Sequence, residues 1–188
     1  QKNQSVGVLK CLFMSIGAFV QLFSDVLFSH KDTSSYCGDL AFQILRYANV
    51  PHGEVRSSAT ALLYLFIKTN FKERGDFGRM KLQATIAVSR FSGNTKMDQT
   101  SLLESSLEAV ATRALKEFGE NDFASEVQQL AKTLFRVIRD SSKIQEYKDD
   151  VQRMCDYMYK IALGYSSDSP DLRVTWLNNL SEYHLLRE

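Results

Sequence analysis

An all-α fold, built as an armadillo- or HEAT-like helical repeat (an α-solenoid segment) of about eight helices, is what this sequence predicts, and three observations carry that reading. Apolar residues recur at steps of three and four in one segment after another. Breakers fall between those segments at nearly even intervals, and strand-like alternation of period two is absent. With only 2 Pro and 9 Gly among 188 residues, little in the chain interrupts long helices.

The first element, Val6 to Phe28, is an apolar run interrupted by Lys10, Ser15, Gln21, Ser24 and Asp25. It falls short of the roughly 18 uninterrupted apolar residues a membrane span needs, and no basic cluster leads it as in a signal peptide. It is read as a buried helix. Next, Val55, Ala59, Leu62 or Leu63 and Phe66 mark one helical stripe, and Phe77, Met80, Ala84, Ala87 and Phe91 mark another. Val127, Leu130, Leu134 and Ile138 form a third stripe. Ile144, Tyr147, Val151, Met154, Met158, Ile161 and Tyr165 continue at the same steps and predict one long amphipathic helix.

The punctuation agrees with the periods. Pro51-His52-Gly53, Gly75-Asp76, Gly93-Asn94, Gly119-Glu120-Asn121 and Ser166 to Pro170 all read as helix breaks. Ser169-Pro170-Asp171 supplies an N-cap, a first-turn proline with no N–H to satisfy, and a carboxylate at the positive end of the helix dipole. The expected helix starts, near 54, 76, 99, 122 and 143, are roughly twenty-two residues apart, so pairs repeat at about 45, inside the armadillo and HEAT range. Residue-level self-similarity is weak, which leaves an irregular helical bundle as the competing architecture. The chain opens on Gln1 and reaches Glu188 within a helical pattern, so it is read as a piece of a larger polypeptide.

Composition excludes several functions. Apolar residues make up 44% and charged residues 24%, and the net charge of +1 gives no global field to concentrate nucleic acid, so no nucleic-acid partner is expected. Cys11, Cys37 and Cys155 lack the close pairing of a disulfide framework or a zinc site, which points to a reducing setting. Asp76-Phe77-Gly78 spells the magnesium-binding triplet of protein kinases, but the glycine-rich loop, strand lysine and catalytic loop are missing, so Phe77 is read as an inward-pointing residue at a helix start. His30, His52 and His184 stand far from one another and from any cysteine at metal-ligand spacing. No serine sits in a nucleophile elbow, and Gly93-Asn94-Thr95-Lys96 lacks the first half of a phosphate loop. No catalytic residue, metal ligand or cofactor is therefore assigned.

Charge does mark one candidate surface. Lys68, Lys72, Arg74, Arg79, Lys81, Arg90 and Lys96 face only Glu73 and Asp76, while the following thirty or so residues are mostly acidic. Ordinary solvation and pairing between neighbouring repeats explain such a pattern. The functional alternative is docking of an anionic partner segment or a lipid headgroup on Lys68, Lys72, Arg74, Arg79 and Lys81. Trp176, the single tryptophan, shares a helical face with Leu172 and Leu180; it reads first as core and second as an interface anchor.

Three stretches resemble a known family: Ser57 through Phe66 followed by Asn70-Phe71, then Phe77 through Ser89, and Tyr159 through Leu177. In order and spacing they resemble the dedicator-of-cytokinesis family, in its zizimin-like branches, over roughly residues 55 to 180. Ser169-Pro170-Asp171-Leu172-Arg173-Val174-Thr175-Trp176-Leu177 is similar to the opening of that family's second homology region. The resemblance implies an armadillo-like segment over residues 1–165 and, over 166–188, the start of the N-terminal dimerising lobe of the exchange domain. It implies guanine-nucleotide exchange on Rho-family small GTPases, Rac-like ones among them, through later lobes that are not in this sequence. No residue here matches the nucleotide-displacing loop. The resemblance thus implies a non-catalytic scaffold with a GTPase partner reached through those lobes, a homodimer, regulatory or adaptor proteins, and at most peripheral membrane contact. A cytoplasmic location with recruitment to the membrane periphery goes with it. The readings that compete are a free-standing α-solenoid adaptor unrelated to GTPases and an enzyme on a helical bundle, the latter without an acid–base or metal constellation to support it.

Overall fold

The computed structural model describes residues 5–29, 34–78, 80, 84–85, 100–147, 149–163 and 170–185. Among them the regular structure is entirely helical, as the periodicity requires: α1 (Val6–Leu22), α2 (Ser24–Ser29), α3 (Ser34–Ala48), α4 (Gly53–Arg74), α5 (Thr100–Phe118), α6 (Asp122–Glu146), α7 (Val151–Leu163) and α8 (Pro170–Leu185). After α4 the Asp76 carboxylate accepts the Gly78 N–H at 2.9 Å, and Phe77, Met80 and Ala84 are buried. Ala87, Phe91 and the Gly93-Asn94 break lie outside the described residues, as do Ser166 to Ser169.

Three helix pairs, α3 with α4, α5 with α6 and α7 with α8, pack most closely within themselves, and α4 also carries α1 and α2 on one flank and α5 on another. Being covered from several directions, α4 buries Val55, Ala59, Leu62, Leu63, Tyr64, Phe66, Ile67, Thr69 and Asn70, which lie around its circumference rather than along one stripe. In contrast, α6 keeps a single stripe, with Val127, Leu130, Leu134, Val137 and Ile138 at 2% exposure or less. The turns are set by local chemistry. Gly75 closes α4 in the left-handed conformation at φ +73°, donating its N–H to the Phe71 carbonyl at 2.7 Å. Gly119 ends α5 in the same way at φ +67°, and the Asn121 side chain then accepts the Ala124 N–H at 2.9 Å to open α6. Between layers, the Ser106 hydroxyl donates to the Ala48 carbonyl at 2.7 Å, tying α5 to the end of α3.

Two expectations need correction. The stretch from Ile144 to Tyr165 is not one helix: α6 runs through Ile144 to Glu146, and α7 starts afresh at Val151. Tyr147 donates its N–H to the Ile144 carbonyl in a tightened last turn, and the Asp150 carboxylate caps α7 by accepting the Arg153 N–H at 3.1 Å. Apolar spacing carried across the break because Tyr147 still packs against Tyr157, with ring centroids 5.9 Å apart. The Val6 to Phe28 run is likewise two helices rather than one, and it is not buried throughout. Leu9, Phe13, Gly17 and Val20 face α4, and a Cβ on Gly17 would stand 3.3 Å from Leu65 Cδ2 and 3.6 Å from Leu62 Cδ1, so glycine lets α1 sit close. Val8, Leu12, Phe19, Leu22 and Phe23 are exposed. No helix among the described residues is long and apolar enough to cross a membrane.

Candidate interaction surface

Of the basic residues picked out in the sequence, Lys68, Lys72 and Arg74 lie in the C-terminal half of α4. Lys68 there meets α5 rather than open solvent alone. Lys68 pairs with Glu117 of α5, and its ammonium lies 4.9 Å from the centre of the Phe118 ring. Glu117 also accepts the Tyr64 hydroxyl at 2.6 Å, and the Arg113 guanidinium covers the Tyr64 ring at 4.4 Å. Hydrogen bonding from Lys68, then from Tyr64, holds the Glu117 carboxyl below its ordinary range. Burial, reinforced by Glu117, pushes the Tyr64 phenol well above its ordinary value, so it stays a neutral donor. Lys68 thus works first as a bolt between two helix pairs.

Lys72 and Arg74 lie exposed in the last turn of α4, where cations favour the negative end of the helix dipole. Arg79 and Lys81 lie outside the described residues. Trp176 is 4% exposed within the core, so in this structure its indole packs inward and is not an anchor on an open face. The structure therefore brings Lys68 and Lys72 together on one rim and leaves Trp176 apart from them.

What sequence reasoning missed is the hollow those two lysines border. Leu65 and Phe71 of α4, with Phe118 and Phe123 from the α5–α6 corner, line a cavity of about 550 Å³ that Lys68 and Lys72 flank. Its floor is an aromatic cluster in which Phe123 lies 5.3 Å from Phe71 and 5.3 Å from Phe118. Phe118 and Phe123 flank the Gly119 break, and the left-handed turn there lets their rings meet edge to face. An apolar floor beside exposed ammonium groups can hold bulky side chains that carry a carboxylate nearby. A second groove, of about 360 Å³, runs between α4 and α5 and is bordered by Arg56 and Arg113. Arg56 already donates to the Val50 and Pro51 carbonyls at 2.9 and 3.0 Å. Among the described residues no group of three His, Cys, Asp or Glu side chains is placed to hold a metal ion.

The described residues thus form packed helix pairs with solvent-facing grooves between them. Compared with known proteins, the chain is 35% identical over 184 residues to dedicator of cytokinesis protein 7 of Homo sapiens, a match spanning 97% of this chain and 8% of that protein. It is 31% identical over 189 residues to dedicator of cytokinesis protein 8 of Homo sapiens, covering 97% of this chain and 9% of the relative. It is 28% identical over 193 residues to dedicator of cytokinesis protein 9 of Mus musculus, covering 98% and 9%. No family model matches the chain, and no solved structure does. The chain belongs to the dedicator-of-cytokinesis family and spans less than a tenth of the length of these relatives.

Proposed function

We propose that this chain is an armadillo-like scaffold segment of a guanine-nucleotide exchange factor for Rho-family small GTPases, supporting self-association or partner docking without exchanging nucleotide itself. The observation that carries the reading is the joining of helix pairs by side-chain seams, seen in Tyr64, Lys68, Arg113 and Glu117 between α4 and α5, in a chain of the dedicator-of-cytokinesis family. A stack of this kind presents long surfaces at fixed spacing, which is what a scaffold requires. Residues 1–165 form the armadillo-like part in this reading, and residues 166–188 begin the dimerising lobe of the exchange domain. Close packing of α7 against α8 supports reading the two parts as continuous with one another. Rac-like GTPases engage other lobes of the parent protein, regulatory or adaptor proteins engage the repeat surface, and the setting is the cytoplasm with recruitment to the membrane periphery.

The test is nucleotide release from a Rho-type GTPase loaded with a fluorescent guanine nucleotide. Added alone, this chain leaves release at the spontaneous rate. Clear acceleration by the purified chain would overturn the non-catalytic assignment.

A further inference from the structure

We infer that the groove between α4 and α5 docks an extended, acidic segment of a partner protein, whose carboxylates are held by Arg56 and Arg113. This names the chemistry of one partner in the docking part of the scaffold reading, and rests on it. The groove lies between two helix layers within the chain rather than at an end of the stack.

Charge selects the occupant. Arg56 and Arg113 are the charged residues among those lining the groove, and neither forms an ion pair with a carboxylate among the described residues. The carboxylates close to them in sequence are engaged or face elsewhere. Glu54 pairs with Lys10, Glu117 pairs with Lys68, and Glu104 and Glu108 line a different hollow, between α5 and α6. Both cations are also held in place before anything binds. Arg56 uses Nη1 for the Val50 and Pro51 carbonyls, at 2.9 and 3.0 Å, which leaves its Nε and Nη2 hydrogens for an anion. The Arg113 guanidinium covers the Tyr64 ring at 4.4 Å. Side chains positioned in this way lose little freedom on binding, and a guanidinium fork matches a carboxylate.

Shape selects an extended chain. Ser57 and Ala61 on α4, and Ser105 and Ala109 on α5, are exposed and put no long side chain between the two cations. A peptide backbone can therefore approach closely, and the hydroxyl oxygens of Ser57 and Ser105 can accept its N–H groups. Along α4, Arg56 is separated from Tyr64, whose ring Arg113 covers, by a rise of roughly 12 Å. An extended chain spans that distance in about four residues. A helix would need roughly 900 Å³ over the same length, against about 360 Å³ in the groove. One phosphate group does not bridge cations held roughly that far apart, which disfavours a lipid headgroup or a single phosphorylated side chain.

The test is fluorescence anisotropy of a labelled, capped peptide of glycine, serine and alanine with two glutamates about four positions apart, titrated with the purified chain. Binding in the micromolar range that weakens as salt rises is expected. Arg113→Gln should weaken it about tenfold with unchanged helical circular dichroism, and Arg113→Lys should recover part of that loss, because an ammonium keeps the charge without the fork. Arg113→Glu should abolish binding, and a peptide with lysine in place of one glutamate should regain it with that variant alone. Lys72→Gln, beside the aromatic hollow, is the control and should change nothing. A parent chain that does not bind, an equal loss in Lys72→Gln, or equal binding of a peptide with glutamines in place of the glutamates overturns the proposal. So does binding of a phosphoserine peptide or of phosphatidylserine vesicles where the glutamate peptide fails. Nucleotide release is read in a separate assay, so failure here leaves the non-catalytic assignment standing, and the reverse.

Discussion

Replacing Phe123 with alanine tests whether the aromatic corner holds the first helix layers to the second. Phe123 is 5% exposed, and its ring centre lies 5.3 Å from those of Phe71 and Phe118, 6.2 Å from Phe77 and 6.3 Å from Tyr64. Truncating a buried phenylalanine costs about 3–5 kcal/mol, made up of lost transfer free energy and the cavity left behind. Four ring contacts favour the upper half of that range, though their increments of roughly 0.5–1.5 kcal/mol each do not simply add. For a chain of this size about 4 kcal/mol corresponds to a fall in Tm of roughly 8–16 °C. The control is Phe118→Ala. Phe118 is 42% exposed, and its one ring–ring partner within the cluster is Phe123, so the expected cost is about 1 kcal/mol. Urea denaturation followed by circular dichroism measures both, and a lower m-value in Phe123→Ala would show the layers unfolding separately. A cost for Phe123→Ala no greater than for Phe118→Ala would refute the claim that the corner joins the layers.

Two further perturbations follow from local geometry. Gly75→Ala meets nothing within 4 Å of its new Cβ, so its expected cost of about 1 kcal/mol comes from the left-handed backbone alone, with Gly75→Asn losing less; a rise in urea midpoint for the alanine variant would contradict this. Asp140 is 8% exposed, and burial raises its carboxyl above the ordinary value despite Arg136 at 3.8 Å, Arg139, Lys143 and the Tyr157 hydroxyl at 3.5 Å. A raised folded-state value means the protonated form suits the fold, so Asp140 weakens stability as pH rises through that value. Asp140→Asn is therefore expected to melt no lower than the parent at neutral pH, with any advantage vanishing on acidification below the carboxylate range. Melting curves at the two pH values check it, and a lower Tm at neutral pH would sink the argument.

The sequence was enough for the class of fold and for most of the seams. A buried residue in an amphipathic helix must recur at threes and fours, and Val55, Ala59 and Phe66 on α4 and Val127, Leu130, Leu134 and Ile138 on α6 lie in the core as that spacing requires. Breaks at Gly75 and Gly119 were legible because left-handed backbone is cheap only for residues such as glycine. Family membership was legible for a different reason, since the stretches from Ser57 to Phe71 and from Tyr159 to Leu177 carry residue identities and not merely a pattern.

Periodicity failed where two surfaces are apolar at once. On α1 it could not separate the stripe that meets α4 from the one that faces outward, because both obey the same spacing and only the position of α4 distinguishes them. It also ran through the break at Tyr147, since a side chain can keep its seam while its backbone leaves the helix. The hollow beside Lys68 and Lys72 was beyond reach for a third reason: Leu65 and Phe71 lie some fifty residues from Phe118 and Phe123, and only the packing of α5 against α4 brings them together. Local spacing along a chain therefore determines which residues seek cover, while the tertiary packing of distant helices decides which of them find it and which faces remain open to a partner.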